Sequence, residues 1–125
     1  MDLNIKNIDI KKLDLGLRHE YVPQTDFNLA LDEDDRIVVD CEYFAVGEKM
    51  KFMEFGEDKK VSIDYPKIFK KKVKGIRNFS INGKPVTTAD ELLRYPGVNE
   101  LDLIVTDVGA HIFHSDDLTE DEEKN

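Results

Sequence analysis

The stretch YPKIFKKKVKGIRNFSINGKPVTTADELLRYPGVNELDLIVTDVGAHIFH, residues 65–114, decides the fold. Its first part predicts a basic helix over Pro66–Lys74, with Phe69, Val73 and Ile76 recurring at helical spacing and Lys67, Lys70, Lys71, Lys72 and Lys74 pointing elsewhere. A short apolar–polar alternation from Ile76 to Ile81 follows and predicts a strand. It is closed by Asn82-Gly83, a dipeptide that tolerates positive φ at both central positions of a type I′ turn. Thr88-Ala89-Asp90-Glu91 reads as a capping box before Leu92 and Leu93, and Pro96-Gly97 stops that helix. Leu101, Val105, Val108 and Ile112 repeat at i, i+4, i+7 and i+11, the clearest amphipathic helix of the chain.

Upstream of this stretch the pattern is mostly extended. Leu3 and Ile5, then Ile8 and Ile10, then Leu13, Leu15 and Leu17 alternate with polar residues, as a half-buried strand or an extended β arm within residues 1–23 would. Phe27, Leu29 and Leu31 alternate again. Asp32-Glu33-Asp34-Asp35 cannot pack inside a sheet and marks a turn, so a hairpin with the next strand is expected. That strand is Arg36–Phe44, with Ile37, Val39, Cys41 and Tyr43 on its inward face. Val46, Met50 and Met53 fit a short helix over Gly47–Phe55, and Lys59–Tyr65 reads as a connector or short strand. Strands first and helices later make the expected fold class α+β, with N-terminal antiparallel strands, short helices and a C-terminal amphipathic helix.

With 125 residues the expectation is one domain over 1–115, followed by an acidic tail, 116–125, whose composition predicts disorder in isolation. The net charge of −9 opposes phosphate binding, which argues against a nucleic-acid partner. The charge is unevenly spread. Residues 67–84 carry seven basic and no acidic side chains, and residues 116–123 carry six acidic and no basic ones. Such polarity suits self-association or docking to a charged partner. Cys41 stands alone, so an intrachain disulfide is excluded and a reducing, cytoplasmic setting is expected. No secretory leader and no bilayer-length apolar run is present, so a membrane role is not expected.

Catalytic signatures are missing: there is neither a phosphate-cradling glycine loop nor a Gly-x-Ser-x-Gly elbow. Asp107, His111 and His114 share one helix face and are the best candidates for a metal. Three ligands on one face could hold a divalent ion, but histidine near a helix C-terminus is also favoured by the helix dipole alone. The expectation is therefore no metal, no cofactor and no enzyme. The basic patch, Lys67, Lys70, Lys71, Lys72, Lys74 and Arg77, reads as a solvated helix face or the mate of the acidic tail.

The C-terminal half, residues 61–125, with INGK, TTADELL and HIFHSDDL in this order before an acidic end, resembles the tail assembly chaperones of tailed bacteriophages and prophages. VVDCEYFAVGEKMKFMEFG upstream fits the same pattern, so the resemblance covers residues 37–125, about 70% of the chain. It implies a non-enzymatic protein of the bacterial cytoplasm that binds the tape-measure protein and aids tail-tube assembly, with homo-oligomers an open option. Partner contacts would then fall on Phe52, Met53, Leu92, Leu93, Ile112 and Phe113. Two other roles remain open: a structural virion subunit of tail or neck, and an acidic protein inhibitor. The inhibitor would need carboxylates spread along one surface.

Overall fold

The computed structural model describes residues 18–45 and 47–115; the alternating residues 1–17, Val46 and the acidic tail 116–125 lie outside the described residues. Three strands form the main antiparallel sheet: β1 (Arg18–Tyr21), β2 (Val38–Glu42) and β5 (Val73–Arg77), in the order β1-β2-β5. Two small ribbons flank it, β3 (Met53–Phe55) with β4 (Val61–Ile63), and β6 (Ser80–Ile81) with β7 (Lys84–Pro85). The helices are α1 (Asp26–Leu29), α2 (Tyr65–Lys72), α3 (Ala89–Leu93) and α4 (Asn99–Phe113). The α+β class holds, and the amphipathic helix is where its periodicity puts it.

Helix α4 buries Ile104, Val105, Val108, Ile112 and Phe113 against a core that also contains Val39 and Cys41 of β2, Ile68 and Phe69 of α2, and Val73 and Ile76 of β5. Cys41 is fully buried, and burial, with the nearby Asp40 charge adding to it, pushes its thiol up to about 12; it is a core atom with no nucleophilic character. At Gly109 the helix comes against the start of α2. A Cβ built there would lie 2.8 Å from Tyr65 Cβ and 2.9 Å from its carbonyl oxygen. Only glycine permits this approach.

Local chemistry explains the capped elements. Asp64 caps α2 by accepting from the Lys67 amide (3.1 Å), and Pro66 occupies the first turn, where its missing N–H costs nothing. Thr88 caps α3, its Oγ1 accepting from the Glu91 amide at 3.1 Å. The Glu91 carboxylate reaches back to the hydroxyl of Thr87 at 3.1 Å, one residue earlier than a standard capping box requires. Asn82 and Gly83 take φ of 51° and 79°, as the two-residue turn between β6 and β7 demands.

Five sequence expectations are overturned, each by a tertiary contact. Residues 27–31 are not a strand paired across the acidic turn: Phe27 and Leu29 belong to α1, and Glu33–Asp35 forms a single 3-10 turn. The reason is Asn28, fully buried, whose Nδ2 donates to the Pro23 (2.9 Å) and Ile37 (3.3 Å) carbonyls while its Oδ1 accepts from the Ile37 amide (2.8 Å). These bonds hold α1 against the entry to β2 and leave no edge for a hairpin. The partner of β2 on that side is β1 instead, with His19 opposite Cys41 and Tyr21 opposite Val39.

The basic helix ends at Lys72, two residues early, because Val73 and Ile76 are claimed by β5, opposite Cys41 and Val39. The expected strand Ile76–Ile81 is broken at Asn78 (φ 61°), whose side-chain amide donates to the Asp34 and Arg36 carbonyls. The expected helix Gly47–Phe55 is a 3-10 turn over Lys49–Phe52 leading into β3, since Met53 and Phe55 find ladder partners in Ile63 and Val61. Tyr43, expected inward, is exposed and stacks on His19.

Two substitutions test this packing. Gly109→Ala should lower the thermal midpoint: the ~1 kcal/mol gain expected of alanine in a helix is outweighed by the ~1–3 kcal/mol cost of pushing Cβ into Tyr65 backbone atoms that cannot move independently. Asn28→Ala should cost on the order of 2–3 kcal/mol in urea denaturation, because it strands the buried Ile37 amide and the Pro23 carbonyl together.

Candidate functional site

The three residues considered as metal ligands are put to different uses. Asp107 Oδ2 accepts from the Tyr21 hydroxyl and from the Gln24 amide, both at 2.8 Å. His111 points Nε2 at His19 Nε2, 2.7 Å away, and its ring lies parallel on Tyr21 with centroids 3.7 Å apart. His114 is exposed and meets Phe113 edge-on. Among the described residues no group of three or more His, Cys, Asp or Glu side chains is placed to hold a metal ion.

What α4 makes instead is a seam to β1. His19 is sandwiched, stacking on Tyr43 at 4.3 Å on one side and bonding His111 on the other. A 2.7 Å contact between two Nε2 atoms requires one to carry a proton and the other to offer its lone pair. His19 Nδ1 is buried without a partner. A proton there would be an orphaned donor, so the cheaper tautomer has His19 Nε2–H donating to His111. Burial, the neighbouring His19 and a smaller opposing pull from Asp107 bring the His111 pKa down to about 4, and burial lowers that of His19 as well. At neutral pH the seam is therefore an uncharged imidazole pair. Burial and the bond to Asp107 raise the Tyr21 pKa, so its hydroxyl stays a donor.

The basic patch divides. Lys67, Lys70 and Lys71 are exposed on α2, and Lys67 also lies over the Phe52 ring. Lys72 is 3% exposed: its Nζ sits 2.6 Å from Glu48 and 3.3 Å from Glu42. The Glu48 pKa reflects both environments. Burial alone would raise it, but the Lys72 hydrogen bond, the Ala45 amide and the lysine charges bring it below the usual carboxylate range. Lys74 approaches Glu42, and Arg77 bridges Glu20 and Asp40 across the exposed face of the sheet. Lys72 is thus a structural cation, and the exposed basic surface is smaller than the sequence run suggests.

The six expected partner contacts fare similarly. Phe52, Leu92, Ile112 and Phe113 are buried in the core, and Met53 and Leu93 pack partly against it. They are core because α3, α4 and the 3-10 turn all pack on α2, using apolar faces that helical spacing had marked. Exposed apolar surface lies elsewhere. Met50 is 66% exposed, Phe55 64% and Val61 47%. Phe55 and Val61 are direct cross-strand partners at the end of the isolated β3–β4 ribbon. The alternation Met53-Glu54-Phe55 could have indicated a strand here; no local signal shows that Phe55 would remain uncovered.

The seam predicts a pH dependence. The folded pKa of His111 is depressed from 6.5 to about 4, so its contribution to stability is present above the unfolded value and is lost as the pH falls through the folded one. The urea midpoint should drop between pH 7 and pH 4, and His111→Gln should flatten that part of the curve. An unchanged slope would mean that the imidazole pair does not titrate as its burial requires. Compared with known proteins, the chain matches no family model, no curated protein and no solved structure.

Proposed function

We propose that this protein is a non-enzymatic morphogenesis factor of tailed bacteriophages or prophages, a tail assembly chaperone that acts in the host cytoplasm on the tape-measure protein. The sequence resemblance over residues 37–125 suggests the role, and one structural observation supports a binding surface for it: the uncovered apolar pair Phe55 and Val61 on the β3–β4 ribbon, with Met50 just before it. Phe55 and Val61 continue the ribbon face whose Met53 and Ile63 pack on the core, but lie past the edge of the core, and large exposed apolar side chains grouped together mark contact with another chain. Met50 adds a flexible, polarisable side chain that adapts to varied partner surfaces. The exposed lysines of α2 and the overall negative charge favour reversible contacts that depend on salt. No helix among the described residues is long and apolar enough to cross a membrane, consistent with a role away from the bilayer.

Co-expression with the tape-measure protein of the same tail gene cluster should yield a complex that survives affinity purification. The double variant Phe55→Asp, Val61→Asp should weaken that complex by about 3 kcal/mol, roughly a hundredfold, with the circular dichroism spectrum retained. Failure to capture any tail protein would refute the chaperone role, and recovery of the protein in purified virions would assign it to the particle as a structural subunit.

A further inference from the structure

Six carboxylates, Asp116, Asp117, Glu120, Asp121, Glu122 and Glu123, follow α4 with no basic residue among them. In sequence they lie beyond the negative end of the helix dipole, so α4 itself gives them no favourable partner. The cations that could serve them belong to other elements.

A row of aromatic rings leads from the end of α4 to such cations. Phe113 is the last residue of α4, and its ring lies 6.4 Å from that of Phe44. Phe44 in turn lies 5.2 Å from Phe52, and Lys67 Nζ stands 5.8 Å from the Phe52 ring. Lys71 follows Lys67 one turn along α2, on the same side. An extended chain spans about 3.3 Å per residue, so about six residues past Phe113 cover these steps. Glu120 and the three acids after it are therefore within reach of both lysines.

Lys67 and Lys71 are exposed and have room for a partner. On this side of the fold Lys72 is held by Glu42 and Glu48, and Lys74 approaches Glu42. Among the described residues neither Lys67 nor Lys71 takes an ion pair. Lys70, between them, opens instead onto a cleft shared with Asp90 and Arg94.

An anionic peptide is the occupant that this face fits, and the chain carries one close by. Exposed ion pairs are individually weak, and a free peptide would be held poorly by two lysines. A tethered segment is different, because a short linker keeps it at an effective concentration on the order of millimolar. We propose that residues 116–123 fold back on Lys67 and Lys71 as an intramolecular cover that salt displaces. The lysine face is then open to another chain only after the cover lifts. The cover is a property of the isolated chain, whatever its partner.

Lys124→Cys keeps all six carboxylates and accepts a nitroxide in the full chain, while buried Cys41 stays unlabelled. The label should broaden the amide signals of residues 67–71 at low salt. At about 1 M salt, where the Debye length falls to about 3 Å, those signals should be sharp. Lys67→Glu with Lys71→Glu should abolish the broadening with the circular dichroism spectrum retained. Glu120→Gln, Asp121→Asn, Glu122→Gln and Glu123→Gln together should abolish it as well. Lys84→Glu, the same kind of charge change on the β6–β7 ribbon, should leave it in place. No broadening of residues 67–71 at low salt, broadening that persists at high salt, or equal loss in Lys84→Glu would each overturn the proposal. Broadening of isotope-labelled chains without nitroxide, when mixed with nitroxide-bearing ones, would also overturn it by placing the segment on a second copy.

Discussion

The close seating of α4 on the start of α2, at Gly109 against Tyr65, is the contact on which the remaining structure depends. Because the two backbones approach without an intervening side chain, Val105, Val108 and Ile112 reach the layer formed by Ile68 and Phe69, and this layer reaches Val39 and Ile76 of the sheet. A bulkier residue at 109 would hold α4 away from α2 and open the core along its length. In so short a chain, one such gap affects a large share of the buried surface.

That packing also explains how the ionic groups are arranged. The first strand after α2 begins at Val73 with no loop, which pulls Lys72 under the sheet edge, where Glu42 and Glu48 meet it. A lysine taken out of water is costly, and two carboxylates with the neighbouring Ala45 amide offset that cost. Two residues back along β2, Arg77 connects Glu20 of β1 and Asp40 of β2, so the edge strand is tied to the sheet by charge on one face. On its other face β1 is tied to α4 by the His19–His111 and Tyr21–Asp107 pairs. Asp107 and His111, two members of the ligand set that the sequence suggested, thus serve as ties between elements.

The exposed surface is left with distinct features. The lysines of α2 carry positive charge, and the β3–β4 ribbon carries uncovered Phe55 and Val61. A protein that acts by holding other chains needs such separated surfaces, since each weak contact adds to avidity only if the others can form at the same time. The tail-assembly role proposed above is one use of this arrangement.

What the residues alone determine is whatever follows from neighbours along the chain. The spacing of Leu101, Val105, Val108 and Ile112 makes α4, Thr88 and Glu91 start α3, Asn82-Gly83 makes the β6–β7 turn, and the isolated thiol of Cys41 sits in a strand facing inward. Where the outcome hangs on a distant partner, the local pattern misleads. Phe27 and Leu29 alternate like a strand until Asn28 bonds Pro23 and Ile37, Val73 continues a helix until Cys41 stands opposite, and His111 looks like a candidate metal ligand until His19, 92 positions away, meets its ring. Only the tertiary structure could decide these, because hydrogen bonds and apolar contacts between distant segments outweigh the few tenths of a kcal/mol by which local propensities differ.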